Sequence, residues 1–378
     1  MNVHAIATGF ARFGKRPEPL IDLLAEAGGH ALEAVGRKTI DHLFVGSMAA
    51  GTLGEVENLT ARLADRLSLD SAAGYRVEAA SASGAAVFHA GVAAVASGQA
   101  RRALIVAGEK MTGRPTPEVT ASLAGSLAPA EVAAGATMPA LAALVAQRYL
   151  DRYSVGPEAF DLVTEEFRSS GSRNPNAQFQ SPVSALEVAS SRPVALPLRL
   201  LHCSAISDGA AAVVVEHGGS GVRVLGLGQG FDALMIADRL DVTSFRATRL
   251  AAQRAYESAH LTRKEVGVVE LHDAFAPFAL IDLEDLGFCG PGEAPTWFKE
   301  GYTRPEGRLP VNPSGGILSR GHPVGASGLA QIAHLVQQLD GTAGPLAVSH
   351  RPKVALAQSI GGLASHNFVT LLGQEPPP

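Results

Sequence analysis

Val77-Glu78-Ala79-Ala80-Ser81-Ala82-Ser83-Gly84-Ala85-Ala86-Val87-Phe88-His89-Ala90-Gly91-Val92-Ala93-Ala94-Val95-Ala96 is the stretch whose reading decides the fold. It begins at the end of a strand-like run, Arg76-Val77, and from Gly84 onward its side chains are apolar nearly all round. A surface helix keeps one wet face, so a helix without one is predicted to lie between two layers. Val324 to Leu339 has the same character, with Gly325, Ala326, Leu329, Ala330, Ile332, Ala333, Leu335 and Val336. The chain is therefore predicted to hold two equivalent central helices.

Strand-like runs surround both. Around the first are Ala5-Ile6-Ala7, His42 to Val45, Arg76-Val77, Ala103 to Ala107 and Ala211 to Val215; around the second are Val222 to Leu225, Val266 to Val269, Val354 to Leu356 and Asn367 to Leu372. Strands alternating with helices predict an α/β fold, and two similar successions predict an internal duplication. We divide the chain into an N-terminal half, 1–218, and a C-terminal half, 219–378, joined near Gly218-Gly219-Ser220-Gly221. Within the first half, residues 112–200 break the pattern with Pro115, Pro117, Pro129, a helix near Leu141 to Tyr153 and the polar run Ser169 to Pro175. That segment reads as a covering insertion.

Bulk properties narrow the class. The 378 residues are 46% hydrophobic and only 18% charged, with a net charge of −5, which excludes a basic nucleic-acid footprint and an acidic disordered tail. No stretch reaches the roughly 18 apolar residues that span a bilayer, and the first residues lack a basic-then-apolar leader, so cytoplasmic residence is expected. The 2 cysteines, Cys203 and Cys289, form no C-x-x-C and are read as structural; no metal-binding pattern occurs.

Three clusters join a reactive side chain to glycine or a helix start. Ser81 precedes the first central helix, where free N–H groups and the helix dipole would face it; by itself, though, a serine there is more often only a cap. Asn312 to Gly328 is a glycine-rich loop carrying His322, with Pro323 suited to a first helical position, which would set His322 at the cap. Glu270-Leu271-His272-Asp273-Ala274-Phe275 ends an apolar strand, where α/β folds place ligands; His272 either donates to developing oxyanion charge or is satisfied by Asp273. Two rivals fail. The dinucleotide fingerprint starting at Gly226 has Phe231 in place of its third glycine, and the G-x-S-x-G elbow has Ala79 and Ser83 where glycines belong.

Together the clusters resemble the thiolase superfamily over nearly the whole chain. Val77 to Gly84 is similar to the nucleophile segment of the sterol-carrier-protein-type and archaeal acetoacetyl-CoA branch, with Ser81 at the position of the family's cysteine. Asn312 to Gly328 resembles its Gly-His-Pro block, and His272 to Phe275 its His-Asp-x-Phe block. The resemblance implies two βα halves stacked as five layers (αβαβα), with the inserted loop domain over the site. It implies coenzyme A and acyl-CoA as substrates with no covalently bound cofactor, and a homodimer or dimer of dimers. Residue by residue, it makes Ser81 the acyl acceptor, His322 its base, and Ser359 the counterpart of a second, α-proton-moving cysteine. It makes His272 one oxyanion donor, with backbone groups near Ser81, Gly361 and Gly362 forming the other. Ser314, Gly315 and Phe275 would contact substrate.

Serine needs an adjacent base where a thiol does not. Three readings follow: a thiolase-type acyltransferase, a retro-aldol lyase on a β-hydroxyacyl-CoA that forms no acyl-enzyme, and a non-catalytic acyl-CoA-binding subunit beside a synthase and a small OB-fold partner. The run Leu283 to Gly290 resembles tyrosine-based retro-aldolases, whereas the intact Gly321-His322-Pro323 favours the first reading.

Overall fold

The computed structural model describes residues 2–36 and 38–374; Met1 and residues 375–378, at the outer ends of the two halves, lie outside the described residues. In chain order the elements are β1 (Val3–Gly14), α1 (Leu20–Ala34), β2 (His42–Gly46), α2 (Leu59–Leu67), β3 (Ala73–Val77), α3 (Ser83–Ala96) and β4 (Arg102–Glu109). Then come α4 (Thr116–Ala124), α5 (Pro129–Ala133), α6 (Met138–Tyr153), α7 (Glu158–Gly171), α8 (Ala185–Ala189), β5 (Pro193–Ala195), β6 (Leu198–Arg199) and β7 (Asp208–His217). The remainder is β8 (Val222–Phe231), α9 (Arg246–Ala259), β9 (Val268–Glu270), α10 (Ala276–Asp285), α11 (Ala294–Lys299), α12 (Gly316–Arg320), α13 (Ser327–Asp340), β10 (Val354–Gly361) and β11 (His366–Gly373).

The described residues form a nine-stranded sheet in the order β3-β2-β4-β7-β1-β8-β11-β10-β9, besides the small β5-β6 hairpin. Between β1 and β8 only His4–Arg223 and Ala5–Val222 pair. The layering follows from strand alternation, because successive side chains point to opposite faces. Along β4, Leu104 and Val106 join an outer core with Leu20, Leu23 and Leu24 of α1. Ala103, Ile105 and Ala107 instead join a central core with Val87 and Phe88 of α3 and Leu329 and Ile332 of α13. Along β10, Ala355 and Ala357 face that same central core, whereas Leu356 and Ile360 face a third core with Ala251 and Ala255 of α9. The result is the five-layer αβαβα arrangement, with α3 and α13 in the middle layer, as their apolar circumference requires.

The structure corrects one helix boundary. The second central helix starts at Ser327, not Val324, and Pro323 to Ala326 form a turn ahead of it, so His322 is not a cap residue. The polar run from Ser169 is also partly helical, because α7 extends to Gly171. Phe160, Val163 and Phe167, spaced to share one helix face, carry it into the third core together with Leu141, Val145 and Tyr149 of α6.

Candidate active site

At the start of α3 the backbone turns through Ala80 at φ 50°, a left-handed conformation that costs a non-glycine residue about 1 kcal/mol or more. Ser83 closes this turn: its hydroxyl donates to the Ala80 carbonyl at 2.6 Å and accepts the Ala79 N–H at 2.9 Å. Ser81 is thereby left out of helix capping. Its hydroxyl donates across the molecule to the Ile360 carbonyl on β10, at 2.8 Å.

His322 is held by the other half of the chain. Its backbone N–H donates to the Ser207 hydroxyl at 3.1 Å, and the residue forms a bridge with Ile206. Its ring Nδ1 lies 2.8 Å from the Ser327 hydroxyl, which also lies 3.2 Å from the Pro323 carbonyl. A hydroxyl has one proton to donate. With that proton on Pro323, Ser327 accepts Nδ1–H and leaves the Nε2 lone pair as the reactive position. With it on Nδ1, the ring becomes an Nε2–H donor instead.

The His272 ring meets His322 edge-on, with centroids 5.0 Å apart. Asp273 is not its partner: that carboxylate accepts the N–H groups of Ile317 and Leu318 at 2.8 and 3.0 Å, capping α12, and the Nδ1 of His272 has no hydrogen-bond partner among the described residues. Burial, reinforced by the nearby Arg320 cation, pulls His322 down to about 3. Burial, then the charges of His322 and Arg320, likewise hold His272 well below the usual imidazole range. Both rings are neutral at physiological pH. Arg320 is itself fully buried, 3.8 Å from Glu270, whose carboxyl burial raises to about 7 against the opposing pull of Arg320 and Ser314.

Ser81, His272 and His322 line one cavity of about 400 Å³, together with Phe275, Ile360 and Gly362. Gly362, at φ 62°, sits in the left-handed region that favours glycine. Four expected residues sit elsewhere. Gly361 packs beneath, where a Cβ would lie 2.8 Å from the Ala79 carbonyl. Ser359 is buried against the start of α13, its hydroxyl without a partner among the described residues. Ser314 is also buried, its hydroxyl donating to Glu270 at 2.8 Å, and Gly315 packs on Gly171. None of these four lines the cavity. Cys203 does line it, but burial pushes its thiol up to about 12.

Backbone-to-backbone contact between the central helices brings the serine and the histidine together. A Cβ on Gly84 would come within 2.6 Å of the Leu329 nitrogen, and one on Gly328 within 2.7 Å of the Ala85 nitrogen. Glu109 pins the same junction, accepting from the Ser47 hydroxyl at 2.7 Å and the N–H groups of Met48, Ala49 and Gly325 at 2.8, 3.2 and 3.2 Å. Ser327, Glu109 and the Ile360 carbonyl were given no role from sequence. Chemically, the site combines a hydroxyl with two neutral imidazoles in a mostly apolar space. Among the described residues, no group of three His, Cys, Asp or Glu is placed to hold a metal, and no helix is long and apolar enough to cross a membrane.

Comparison with known proteins agrees with this architecture. Residues 3–194 match the family model "Thiolase, N-terminal domain", and residues 228–374 match "Thiolase C-terminal domain-like". The acetyl-CoA acetyltransferase of Methanothermobacter thermautotrophicus is 39% identical over 90% of this chain and 91% of its own. The benzoylsuccinyl-CoA thiolase subunit BbsB of Thauera aromatica is 34% identical over 95% and 94%. Among solved structures, the Ltp2-ChsH2(DUF35) aldolase superposes with a TM-score of 0.85 at 24% identity, covering 99% of this chain and 98% of that one. Human mitochondrial 3-ketoacyl-CoA thiolase gives 0.75 at 17%, with 99% of each covered. The structural likenesses speak to the fold; the sequence matches, spanning both halves, establish that the chain belongs to the thiolase family.

Proposed function

We propose that the chain is an acyl-CoA acyltransferase of thiolase type, forming or thiolytically cleaving a carbon–carbon bond in an acyl-CoA. The carrying observation is the convergence of Ser81, His322 and His272 on one cavity. In this reading the Ser81 hydroxyl leaves the Ile360 carbonyl and attacks the thioester carbon while its proton passes to Nε2 of His322. His272 donates to the carbonyl oxygen as charge develops, and the departing CoA thiolate takes the proton from His322. Breaking the hydrogen bond to Ile360 costs about 1 kcal/mol, small beside a chemical barrier. The identity to acetyl-CoA acetyltransferases supports this reading. Ser81→Cys supplies a better nucleophile, so CoA-dependent cleavage of acetoacetyl-CoA should rise at least tenfold; an unchanged or lower rate would count against an acyl-enzyme.

One observation favours a second reading, a retro-aldol lyase. Ser81 is bonded to a carbonyl and His322 to Ser327, so the two are not paired with each other. A base here would take the β-hydroxyl proton of a β-hydroxyacyl-CoA, the Cα–Cβ bond would break to give a carbonyl compound, and the acyl-CoA enolate would collect the proton. Cleavage without added CoA distinguishes this from thiolysis.

A second copy of the chain is proposed to pair along β3, the end strand of the sheet, whose residues Ala73 to Arg76 are all exposed. A small OB-fold partner also belongs to the proposal, supported by one relative being named a subunit and by one fold neighbour being described together with ChsH2(DUF35).

A further inference from the structure

We infer that the cavity over Ser81 is built for a bulky hydrocarbon acyl group, well beyond acetyl. The inference rests on the acyl-CoA reading and adds a substrate class to it. Three of the chain's five methionines, Met48, Met111 and Met138, meet on this one cavity, arriving from three separate segments. Methionine is flexible and polarizable, so such a lining moulds itself to an irregular apolar body. Leu123 of α4 adds to the same wall.

The wall continues outward through Val194 and Leu200, which line the cavity yet stay 38% and 45% exposed. Exposed apolar side chains rimming a cavity mark a surface that a ligand covers. No carboxylate lines the cavity among the described residues, and its one charged lining residue, Arg192, is exposed. The cavity, about 400 Å³, is the space that the acyl group and the end of the CoA arm would share. Most of these apolar side chains come from the covering segment, whereas the reacting groups come from the central helices and strand ends. Acyl size and chemistry are therefore set by different parts of the chain.

The test is calorimetric binding of S-alkyl CoA thioethers, which cannot transfer an acyl group, to the full chain. Transfer from water favours burial by roughly fourfold in affinity per methylene, so S-decyl-CoA should bind at least about thirtyfold more tightly than S-ethyl-CoA even after losses. Met138→Trp fills the cavity and should reduce the S-decyl affinity at least tenfold while changing S-ethyl-CoA less than twofold. Met235→Trp, in a separate surface groove, should change neither. Should Met138→Trp not fold, Leu123→Phe from α4 repeats the measurement. Equal affinities for the two ethers, or an equal loss for both on filling the cavity, would overturn the inference and leave the acyl-CoA reading standing. Failure of free CoA and every ether to bind would remove the reading itself, and the inference with it.

Discussion

The starts of α3 and α13 make a natural comparison, because both are apolar helices in the middle layer and both are preceded by a residue of the candidate site. They hold it differently. Before α3, a strained turn at Ala80 pushes Ser81 outward, and its hydroxyl is anchored by a carbonyl of the second half. Before α13, a longer turn sets His322 five residues ahead of the helix, bridged to Ile206 and bonded to Ser207 of the first half. Each half thus secures the other's reactive residue. The two helix starts meet backbone to backbone at Gly84 and Gly328.

The largest test of this asymmetry is removal of the histidine. His322→Ala should lower kcat by about 10²–10⁴-fold with the circular dichroism spectrum unchanged, the range expected for losing a general base; equal activity would mean that the α13 side contributes no proton transfer. Next comes the junction. Gly84→Ala forces a methyl against the Leu329 backbone, and overpacking of this kind should destabilise the protein by about 1–3 kcal/mol in urea unfolding while also lowering activity, because the two helix starts must separate.

Ser327→Ala probes a finer point, since it removes the hydroxyl whose hydrogen bond sets the His322 tautomer while leaving the backbone intact. We expect roughly a tenfold loss in kcat, a changed pH profile and recovery with Ser327→Thr; an unaltered profile would reduce Ser327 to packing. A separate effect is on stability in acid. Burial, helped by His366, brings His89 to about 3, and burial with Arg320 does the same for His322. An unfolded histidine binds its proton near pH 6.5, so each of these groups favours the native state above that pH. The advantage is lost as pH falls from about 6.5 toward 3, by at most about 1.4 kcal/mol per pH unit for each ring. His89→Gln, outside the candidate site, should flatten the acid limb of a stability-against-pH curve.

Much of this was legible in the sequence because it rests on periodicity. Helices with no wet face had to lie between layers, and α3 and α13 share the central core. Ser81, His272, His322 and Phe275, drawn from three clusters of the sequence, line one cavity. What escaped was set by tertiary contacts with no local signature. Ser359 and Ile360 are neighbours on β10, and strand alternation turns one toward the start of α13 and the other toward the third core. Pro323 promised a helix start that the Glu109 bond to Gly325 instead holds as a turn. Ser314 had the composition of a ligand contact, but its hydroxyl is committed to a buried carboxylate.

The most direct test of the central claim, that Ser81 with His322 forms the acyl-accepting pair, is peptide mass spectrometry after brief incubation with an acyl-CoA and acid quenching. The account predicts an acyl adduct on the peptide carrying Ser81, absent in Ser81→Ala and strongly reduced in His322→Ala. Turnover of the acyl-CoA with no adduct on Ser81, or with an adduct on another residue, would contradict it.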